Sequence, residues 1–232
     1  MVARSFKQKI HVWLNSFVLL NIIMLKNYQK LNNGLIKQIE FVNSKQKYDI
    51  DYIKRRYDSY KDLSIQMSYL RFGYLLGIVP NINSIIDIGY GNGDFLNVSK
   101  NAIKECYGFE VNNYCIPEKC TKVENIYNQE YDVACFFDVL EHFEDIYEIK
   151  NLKTKYIYIS VPECHYFSDN WFENWKHRRP DEHLWHFNLE SLTKFMQEIG
   201  YKKITHSNVE DIIRKPSSNY SNILSAVFIK NI

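Results

Sequence analysis

A short apolar stretch that runs into a glycine-rich turn constrains the fold of this chain more than any other segment. Its sequence is Ile85-Ile86-Asp87-Ile88-Gly89-Tyr90-Gly91-Asn92-Gly93. The apolar residues are typical of a buried parallel strand. Glycines, which lack a Cβ atom, let the chain turn sharply there and let its backbone approach a ligand closely. Asp94 stands where a dinucleotide fingerprint needs its third glycine, so nicotinamide and flavin cofactors are disfavoured.

Downstream of this turn, short apolar runs alternate with helical patterns, as in βαβ units of a parallel sheet. One helix is indicated between Asn188, which suits an N-cap, and Gly200, which suits a helix end. The predicted fold is a doubly wound, mostly parallel, Rossmann-like α/β sheet of the seven-stranded type. It has a C-terminal antiparallel edge pair and extra N-terminal helices. The parallel strands are predicted at Ser84–Ile88, Cys106–Val111, Asp132–Phe137 and Tyr156–Val161, and the edge pair at Lys203–Ser207 and Ile223–Ile229.

The N-terminal third of the chain has a different pattern. Between residues 50 and 74, apolar side chains alternate at spacings of three and four, which predicts a long amphipathic helix or helix pair. We therefore divide the chain into a helical extension over residues 1–80, packed on the core, and an α/β domain over residues 81–232. The helices of the extension are also a candidate surface for oligomerisation.

Residues 10–25 need a separate interpretation because they carry no formal charge and are apolar on every helical face. The stretch is shorter than the roughly 20 residues that a bilayer core requires. We interpret it as a helix buried against the domain or a partner. Two alternatives remain open: an anchor lying on a membrane surface, and a leader that precedes a start at Met24.

Composition and charge exclude several classes of protein. Hydrophobic residues make up 46% of the 232-residue chain and charged residues 24%, which is typical of a soluble globular domain. The formal net charge of +2 lacks the basic footprint of a nucleic-acid binder, so a small-molecule partner is favoured. The five cysteines include no Cys-x-x-Cys pair, which argues against a disulfide framework or a zinc site and favours a cytoplasmic location.

A second acidic residue, Glu110, ends the next predicted strand, 23 residues after Asp87. From that position a carboxylate accepts hydrogen bonds from both ribose hydroxyls of a nucleoside. With these two features the sequence resembles the class I S-adenosylmethionine-dependent methyltransferases over residues 82–229. The resemblance implies that residues 87–93 form the cofactor loop and that Glu110 is the ribose ligand.

A third segment, Tyr131–His142, is similar to the fourth strand and the Leu-Glu-His turn of small-molecule members of that family. The resemblance implies that this turn closes over the adenine and the methyl donor. Only 21 residues separate Glu110 from Asp132, so the family's third helix and third strand must be shortened here. The cofactor is expected to be S-adenosyl-L-methionine, and its predicted ligands are Asp87, Gly89, Tyr90, Gly91, Gly93, Glu110, Val111, Phe137, Asp138 and Val139.

Two histidines are the candidates for chemistry on the acceptor. His142 follows the fourth strand, and imidazole titrates in the range that suits removal of a hydroxyl proton. His183, in a later loop, is the second candidate. One alternative is that His142 only caps its turn. Another is that Asp138, Glu141 and His142 bind a divalent metal with His183 or His186, an arrangement similar to metal-assisted O-methyltransferases of the ubiquinone pathway or of RNA 3′-terminal ribose. Our main interpretation includes no metal.

An aromatic and basic insertion over residues 166–180 follows the predicted strand that ends at Val161. Flat rings stack on sugars or aromatic molecules and arginine pairs with phosphate or carboxylate, so the insertion predicts an acceptor lid. A hydrophobic plug over the sheet edge is the alternative. We predict a methyltransferase that acts on a small-molecule or glycan-precursor acceptor, at an oxygen atom. The other hypotheses are a non-catalytic module that docks a partner through the N-terminal helices and a metal-assisted RNA terminal ribose methyltransferase.

Overall fold

The computed structural model describes residues 23–25, 27–40, 61–216 and 219–231. Four α-helices lie in these ranges, and they are α1 (Lys61–Leu76), α2 (Asp94–Ser99), α3 (Asp169–Asn174) and α4 (Leu189–Glu198). Short 3₁₀ helices span Leu140–His142, Ile146–Asn151 and Val209–Ile212. The strands are β1 (Ile23–Leu25), β2 (Tyr28–Lys30), β3 (Ile36–Gln38), β4 (Ser84–Ile88), β5 (Glu105–Phe109), β6 (Cys120–Lys122), β7 (Glu130–Phe137), β8 (Lys153–Pro162), β9 (Trp185–His186), β10 (Tyr201–Ser207) and β11 (Ile223–Lys230).

Seven of these strands form one sheet in the order β10-β11-β8-β7-β4-β5-β6. Strands β8, β7, β4, β5 and β6 are parallel, whereas β11 is antiparallel to both of its neighbours. This topology confirms the predicted Rossmann-like sheet with a C-terminal antiparallel edge pair. It brings the carboxyl ends of β4, β5, β7 and β8 to one edge. Because β10 runs in the same direction as β8, the loop after β10 lies at that edge too.

The core has two halves, one on each face of the sheet, because successive side chains of a strand point to opposite faces. Ile86 and Ala134 belong to one cluster, and their strand neighbours Ile85 and Val133 belong to the other. Helix α4 packs on the first face through three fully buried side chains. These are Leu192, Phe195 and Met196. Helix α1 covers the second face, where Phe72 and Leu75 are buried.

Strand β6 was not predicted. It has three residues and follows Pro117, so its apolar run is too short to stand out in the sequence. It nevertheless pairs with β5 through Cys106 and Cys120 and forms the edge of the sheet. The shortened third unit expected between Glu110 and Asp132 is therefore a single short strand without a helix.

The N-terminal region contains a small antiparallel sheet, with strand order β1-β2-β3-β9. The prediction of a helix through residue 25 is wrong for Ile23–Leu25, which is a strand that pairs with β2. The tight hairpin of β2 and β3 explains the difference, since it offers this segment an edge to pair with. The rest of the apolar stretch, residues 10–22, lies outside the described residues.

The C-terminal part of the predicted N-terminal helix is present as α1, in which Met67 of the predicted stripe is buried but Leu63 is 41% exposed. Gly73, expected near the helix end, lies inside the helix, and the residues of the predicted stripe up to and including Tyr60 lie outside the described ranges. No helix in the described parts of the chain combines the length and the apolar character that crossing a bilayer requires. The division at residue 80 stays a prediction.

Candidate functional site

The loop between β4 and α2 holds three glycines with left-handed backbone angles. The φ values are 75° for Gly89, 52° for Gly91 and 79° for Gly93. L-residues with a side chain rarely adopt these angles, which explains the glycine at each position. A Cβ atom on Gly89 would also lie 2.4 Å from Cγ2 of Val139. The turns after β4 and β7 are therefore in direct contact, as the prediction that both belong to one site requires.

Glu110 lies just after β5 and turns its carboxylate towards this loop. Its Oε2 accepts a hydrogen bond from the backbone N–H of Gly91 at 3.1 Å, and its Oε1 accepts one from the N–H of Asn112 at 3.0 Å. The side chain thus lies at the carboxyl edge of the sheet and does not enter the core. Oε1 also accepts a hydrogen bond from Nδ2 of Asn112 at 3.3 Å. The carboxylate is half-buried and keeps acceptor capacity beyond these three bonds, since a carboxylate accepts about four.

Asp87, the acid near the end of β4, is buried, with 3% of its surface exposed. Within the described residues its carboxylate accepts no hydrogen bond. Its pKa is raised to about 7, mainly by burial; the Arg71 guanidinium opposes this rise and the nearby Glu110 carboxylate adds to it. A buried carboxylate without a donor fits a ligand that brings a positive charge or an N–H or O–H group.

Asp138, directly after β7, is the centre of an ion-pair network. Its φ of 56° is left-handed, and its carboxylate is held by two arginines. Arg71 on α1 donates from Nη2 at 3.1 Å, and Arg214 donates from Nη1 at 2.8 Å and 3.0 Å. Both arginines also bond to Glu210, whose side chain is fully buried. These two guanidinium groups hold the pKa of Asp138 well below its usual range, despite burial.

The histidine candidates lie together in a second cluster. The rings of His142 and His183 pack edge to face with centroids 4.7 Å apart, and the carboxylate of Glu141 completes the group. One ligand atom from each of the three residues lies within 4.8 Å of the others. Burial strongly lowers the pKa of His183, so this imidazole is neutral, and its Nδ1 has no hydrogen-bond partner among the described residues. His186 is buried apart from this group, and Asp138 is paired with arginines instead.

The contact between His142 and Glu182 determines which ring nitrogen of the neutral imidazole carries the proton. Its Nδ1 lies 2.8 Å from the backbone carbonyl oxygen of Glu182. A carbonyl only accepts, so Nδ1 carries the proton and the lone pair of the neutral ring is on Nε2. The turn at Leu140–His142 positions this ring one residue beyond a buried carboxylate.

The remaining predicted cofactor ligands have different surroundings. The ring of Tyr90 is buried and its hydroxyl donates to the carbonyl oxygen of Tyr114 at 2.7 Å. Phe137 is 8% exposed and packs edge to face against Phe95 and Tyr158. Val111, by contrast, is 77% exposed.

The aromatic insertion serves partly as packing and partly as surface. Phe172 on α3 is fully buried against Tyr28 of β2, with ring centroids 5.2 Å apart, so this part of the insertion is anchored to the small sheet. Phe167 is 53% exposed and contacts Tyr220, whose ring centroid is 4.5 Å away. Cys164, next to the insertion, is buried and reduced, and burial raises the pKa of its thiol to about 12.

Sequence reasoning missed three residues of this site, which are Arg71, Glu210 and Arg214. Arg71 and Glu210 are 139 positions apart, and Asp138 is 67 positions from Arg71 and 76 from Arg214. The charges carry no motif, and Glu210 and Arg214 are on the loop between β10 and β11. Only the spacing of four between Glu210 and Arg214 hints that they share a face.

Comparisons with known proteins identify the family to which the chain belongs. A methyltransferase domain family matches residues 53–206, which is more than half of the chain. The chain therefore belongs to the class I S-adenosylmethionine-dependent methyltransferases, which confirms the resemblance found in the sequence. The comparison with curated proteins found no match.

Solved structures share the fold at low sequence identity. A chain in the complex of the Haloferax volcanii Trm112 methyltransferase activator with a methyltransferase has a TM-score of 0.57 at 10% identity, covering 80% of this chain and 100% of that one. The plantazolicin methyltransferase BpumL, bound to a substrate analogue and S-adenosylhomocysteine, has a TM-score of 0.55 at 17% identity, covering 79% and 92%. Magnesium protoporphyrin IX methyltransferase from Synechocystis has a TM-score of 0.50 at 13% identity, covering 82% and 90%.

Proposed function

We propose that this protein is an active enzyme that transfers a methyl group from S-adenosylmethionine to an oxygen atom of a small-molecule or glycan-precursor acceptor. The observation that carries the proposal is the contact between the Glu110 carboxylate and the Gly91 N–H, beside the buried carboxylate of Asp87. This arrangement places two acids and an open backbone turn at the edge of the sheet where the fold binds nucleosides. The plantazolicin methyltransferase and the magnesium protoporphyrin IX methyltransferase have the same fold.

Each predicted ligand has a task in this proposal. Glu110 accepts hydrogen bonds from the ribose hydroxyls, and the glycine loop lets the backbone lie against the cofactor. Asp87, whose buried carboxylate accepts no hydrogen bond from the described residues, accepts one from the cofactor. The turn that begins at Asp138 and Val139 covers the cofactor from the side of β7. When bound, S-adenosylmethionine supplies an electrophilic methyl group.

His142 is the proposed base for the acceptor hydroxyl. The Glu182 carbonyl fixes the tautomer with its lone pair on Nε2, so this nitrogen takes the hydroxyl proton as the oxygen gains the methyl group. His183, neutral because it is buried, packs against the ring and limits its rotation. The cluster thus orients one imidazole, as general-base catalysis requires.

Calorimetric titration with S-adenosylhomocysteine tests the proposal. We expect the wild-type protein to bind and Gly91→Arg to lose binding, because an arginine side chain would fill the turn. Gly73→Arg is the matched control, since Gly73 is exposed on α1 and an added Cβ there meets nothing within 4 Å. A wild-type protein that binds no S-adenosylhomocysteine ends the proposal. His142→Gln should then keep this binding while methyl transfer falls across an acceptor panel.

A second candidate function, metal-assisted O-methyl transfer, is favoured by the cluster of Glu141, His142 and His183. A buried carboxylate and two imidazoles within 4.8 Å fit a divalent transition metal, and the Glu182 carbonyl is the outer partner that orients a metal-bound histidine. A bound ion would polarise the acceptor oxygen.

Calorimetry with Mn²⁺ separates this second candidate from the first. We expect His183→Ala to abolish binding if the cluster is a metal site, and His206→Ala, which changes an exposed histidine on β10, to leave it intact. Absence of Mn²⁺ binding by the wild-type protein, or methyl transfer that survives exhaustive chelation unchanged, rejects the metal-assisted mechanism.

A further inference from the structure

The guanidinium group of Arg214 uses only one of its nitrogens for the ion-pair network. All three hydrogen bonds to Asp138 and Glu210 come from Nη1, at 2.8, 3.0 and 3.2 Å. Nε and Nη2 donate to no group among the described residues, and the side chain is 30% exposed. The Nε–Nη2 edge is the planar pair of donors that matches two oxygens of a carboxylate or phosphate.

The network holds Arg214 in place without using this edge. Glu210 and Asp138 fix the Nη1 side, and Arg71 in turn bonds to both of these carboxylates. Arg71 is anchored on its own side by the ring of Phe137, 4.4 Å from the guanidinium carbon. A donor pair held in this way loses little side-chain entropy when it binds a ligand.

Arg214 lies near the carboxyl edge of the sheet. The loop that carries Arg214 follows β10, and Asp138 follows β7. The same loop is tied to the aromatic insertion, because Asn222 donates to the carbonyl oxygen of Arg214 at 2.9 Å and its Oδ1 lies 2.8 Å from Nε2 of His177. Arg214 is thus placed between the proposed cofactor cleft and the proposed acceptor lid.

Lys176 and Arg214 lie within electrostatic reach of each other. Arg71 and Arg214 balance Asp138 and Glu210, and Lys176 forms no ion pair with the described residues, although the Asp211 carboxylate acts on it. Burial, together with the positive charges of Lys176 and Arg214, lowers the pKa of His177 to about 4. The pKa of Lys176 is itself lowered by burial and by Arg214, although Asp211 partly opposes this. Lys176 and Arg214 therefore repel each other, and an anion bound between them would reduce this repulsion.

We propose that the Nε–Nη2 edge of Arg214, assisted by Lys176, binds an oxyanion of the methyl acceptor, a carboxylate or a phosphate. This inference rests on the proposed function, because it assigns the specificity of the same cleft. The acceptor is then an anionic metabolite, oriented by a two-oxygen contact at Arg214. The hydroxyl of the bound acceptor then lies on the side of Asp138 that faces the proposed cofactor site.

Two small anions test the site on the full-length protein, namely inorganic phosphate and benzoate. Their binding is followed by the NMR shift of the Arg214 Nε–Hε resonance and by calorimetry. Arg214→Lys keeps a positive charge beside Asp138 but lacks the planar donor pair, so we expect affinity to fall about tenfold or more. Lys176→Gln should weaken the doubly charged phosphate more than benzoate. Lys202→Gln, on the exposed face of β10, is the control of equal charge change and should bind as the wild type does.

The two anions distinguish the two kinds of acceptor. Tighter phosphate binding identifies a phosphorylated acceptor, and tighter benzoate binding identifies a carboxylic acid. Arg214→Lys with wild-type affinity for both, or a wild-type protein that binds neither at millimolar concentration, overturns the proposal. S-adenosylhomocysteine binding is measured on the same samples. If it is intact while both anions fail, only the oxyanion site is refuted; if it is absent while phosphate binds through Arg214, the proposed function is refuted instead.

Discussion

The carboxylate of Glu110 and the backbone N–H of Gly91 are joined by a hydrogen bond of 3.1 Å, which ties the end of β5 to the loop after β4. A cofactor ribose at this edge would exchange that bond for stronger ones from its two hydroxyls. We therefore expect Glu110→Ala to weaken S-adenosylhomocysteine binding by about tenfold or more, since each charged hydrogen bond is worth about 1.5–3 kcal/mol. Calorimetric titration measures the change.

A control for this prediction is available on the same strand. Glu105 begins β5, its side chain is 48% exposed, and it lies at the opposite end of the strand from the loop. Glu105→Ala removes the same charge and should leave the affinity unchanged. Equal losses in the two variants would mean that general electrostatics, and not a ribose contact, accounts for the effect.

Substitution of Gly89 or Gly73 by alanine should change the stability of the protein in opposite directions. Gly89→Ala puts a methyl group 2.4 Å from Val139 at a left-handed φ of 75°, so we expect it to destabilise the protein by more than about 2 kcal/mol. Gly73→Ala adds the same methyl group inside α1, where nothing lies within 4 Å, and should stabilise by about 0.5–1 kcal/mol. Urea denaturation of both variants measures the free energy of unfolding. Similar changes in both would contradict the close contact between the two turns.

The cofactor side of the site could be predicted because its signals are local. Asp87, the three glycines and Glu110 are marked by strand ends and turn chemistry, and each signal lies within a few residues of the group it predicts. The mostly parallel sheet with its antiparallel edge pair was predicted from the same alternation of strands and helices. These features depend on backbone geometry, which short sequence patterns encode directly.

The acceptor side could not be predicted in the same way. Arg71 and Glu210 are 139 residues apart, and only the folded chain brings α1 to the loop after β10. A lone arginine or glutamate in a sequence is most often a solvated surface residue. The N-terminal strands β1–β3 have three residues each, so their apolar character is indistinguishable from that of a helix. The contact of Arg71 with Glu210 and the pairing of the short N-terminal strands thus depend on long-range contacts, which local sequence patterns do not indicate.

Asp87 predicts an unusual dependence of stability on pH. Burial raises its pKa to about 7, above the value in the unfolded chain, so the folded protein holds this proton more tightly. The resulting penalty is absent below the ordinary carboxyl pKa, grows as the pH rises, and is complete above about pH 7. We expect Asp87→Asn to be more stable than the wild type, by a margin that is larger at about pH 8 than at about pH 5. Denaturation at the two pH values measures the margin.

The same substitution should weaken cofactor binding, because the amide lacks the charge that the cofactor needs. If Asp87→Asn is more stable and binds S-adenosylhomocysteine less tightly, then Asp87 contributes to binding while it lowers the stability of the cofactor-free protein. A margin that is the same at both pH values would instead show that the Asp87 carboxyl is not buried as described.

Arg71 predicts how the N-terminal helix is coupled to the loop after β10. Its guanidinium bonds to the fully buried carboxylate of Glu210 at 2.7 and 2.9 Å, so Arg71→Met leaves that carboxylate with Arg214 alone. We expect a loss of about 3–5 kcal/mol in unfolding free energy, as for other broken buried pairs.

Arg71→Met combined with Glu210→Gln should lose less than the sum of the two single variants, with a coupling of about 1–3 kcal/mol. The exposed pair of Lys194 and Glu190 on α4 is the control, and Lys194→Met should leave stability essentially unchanged. Additive losses at Arg71 and Glu210 would show that the two side chains do not act as a pair, and that α1 and the loop are held together by apolar packing.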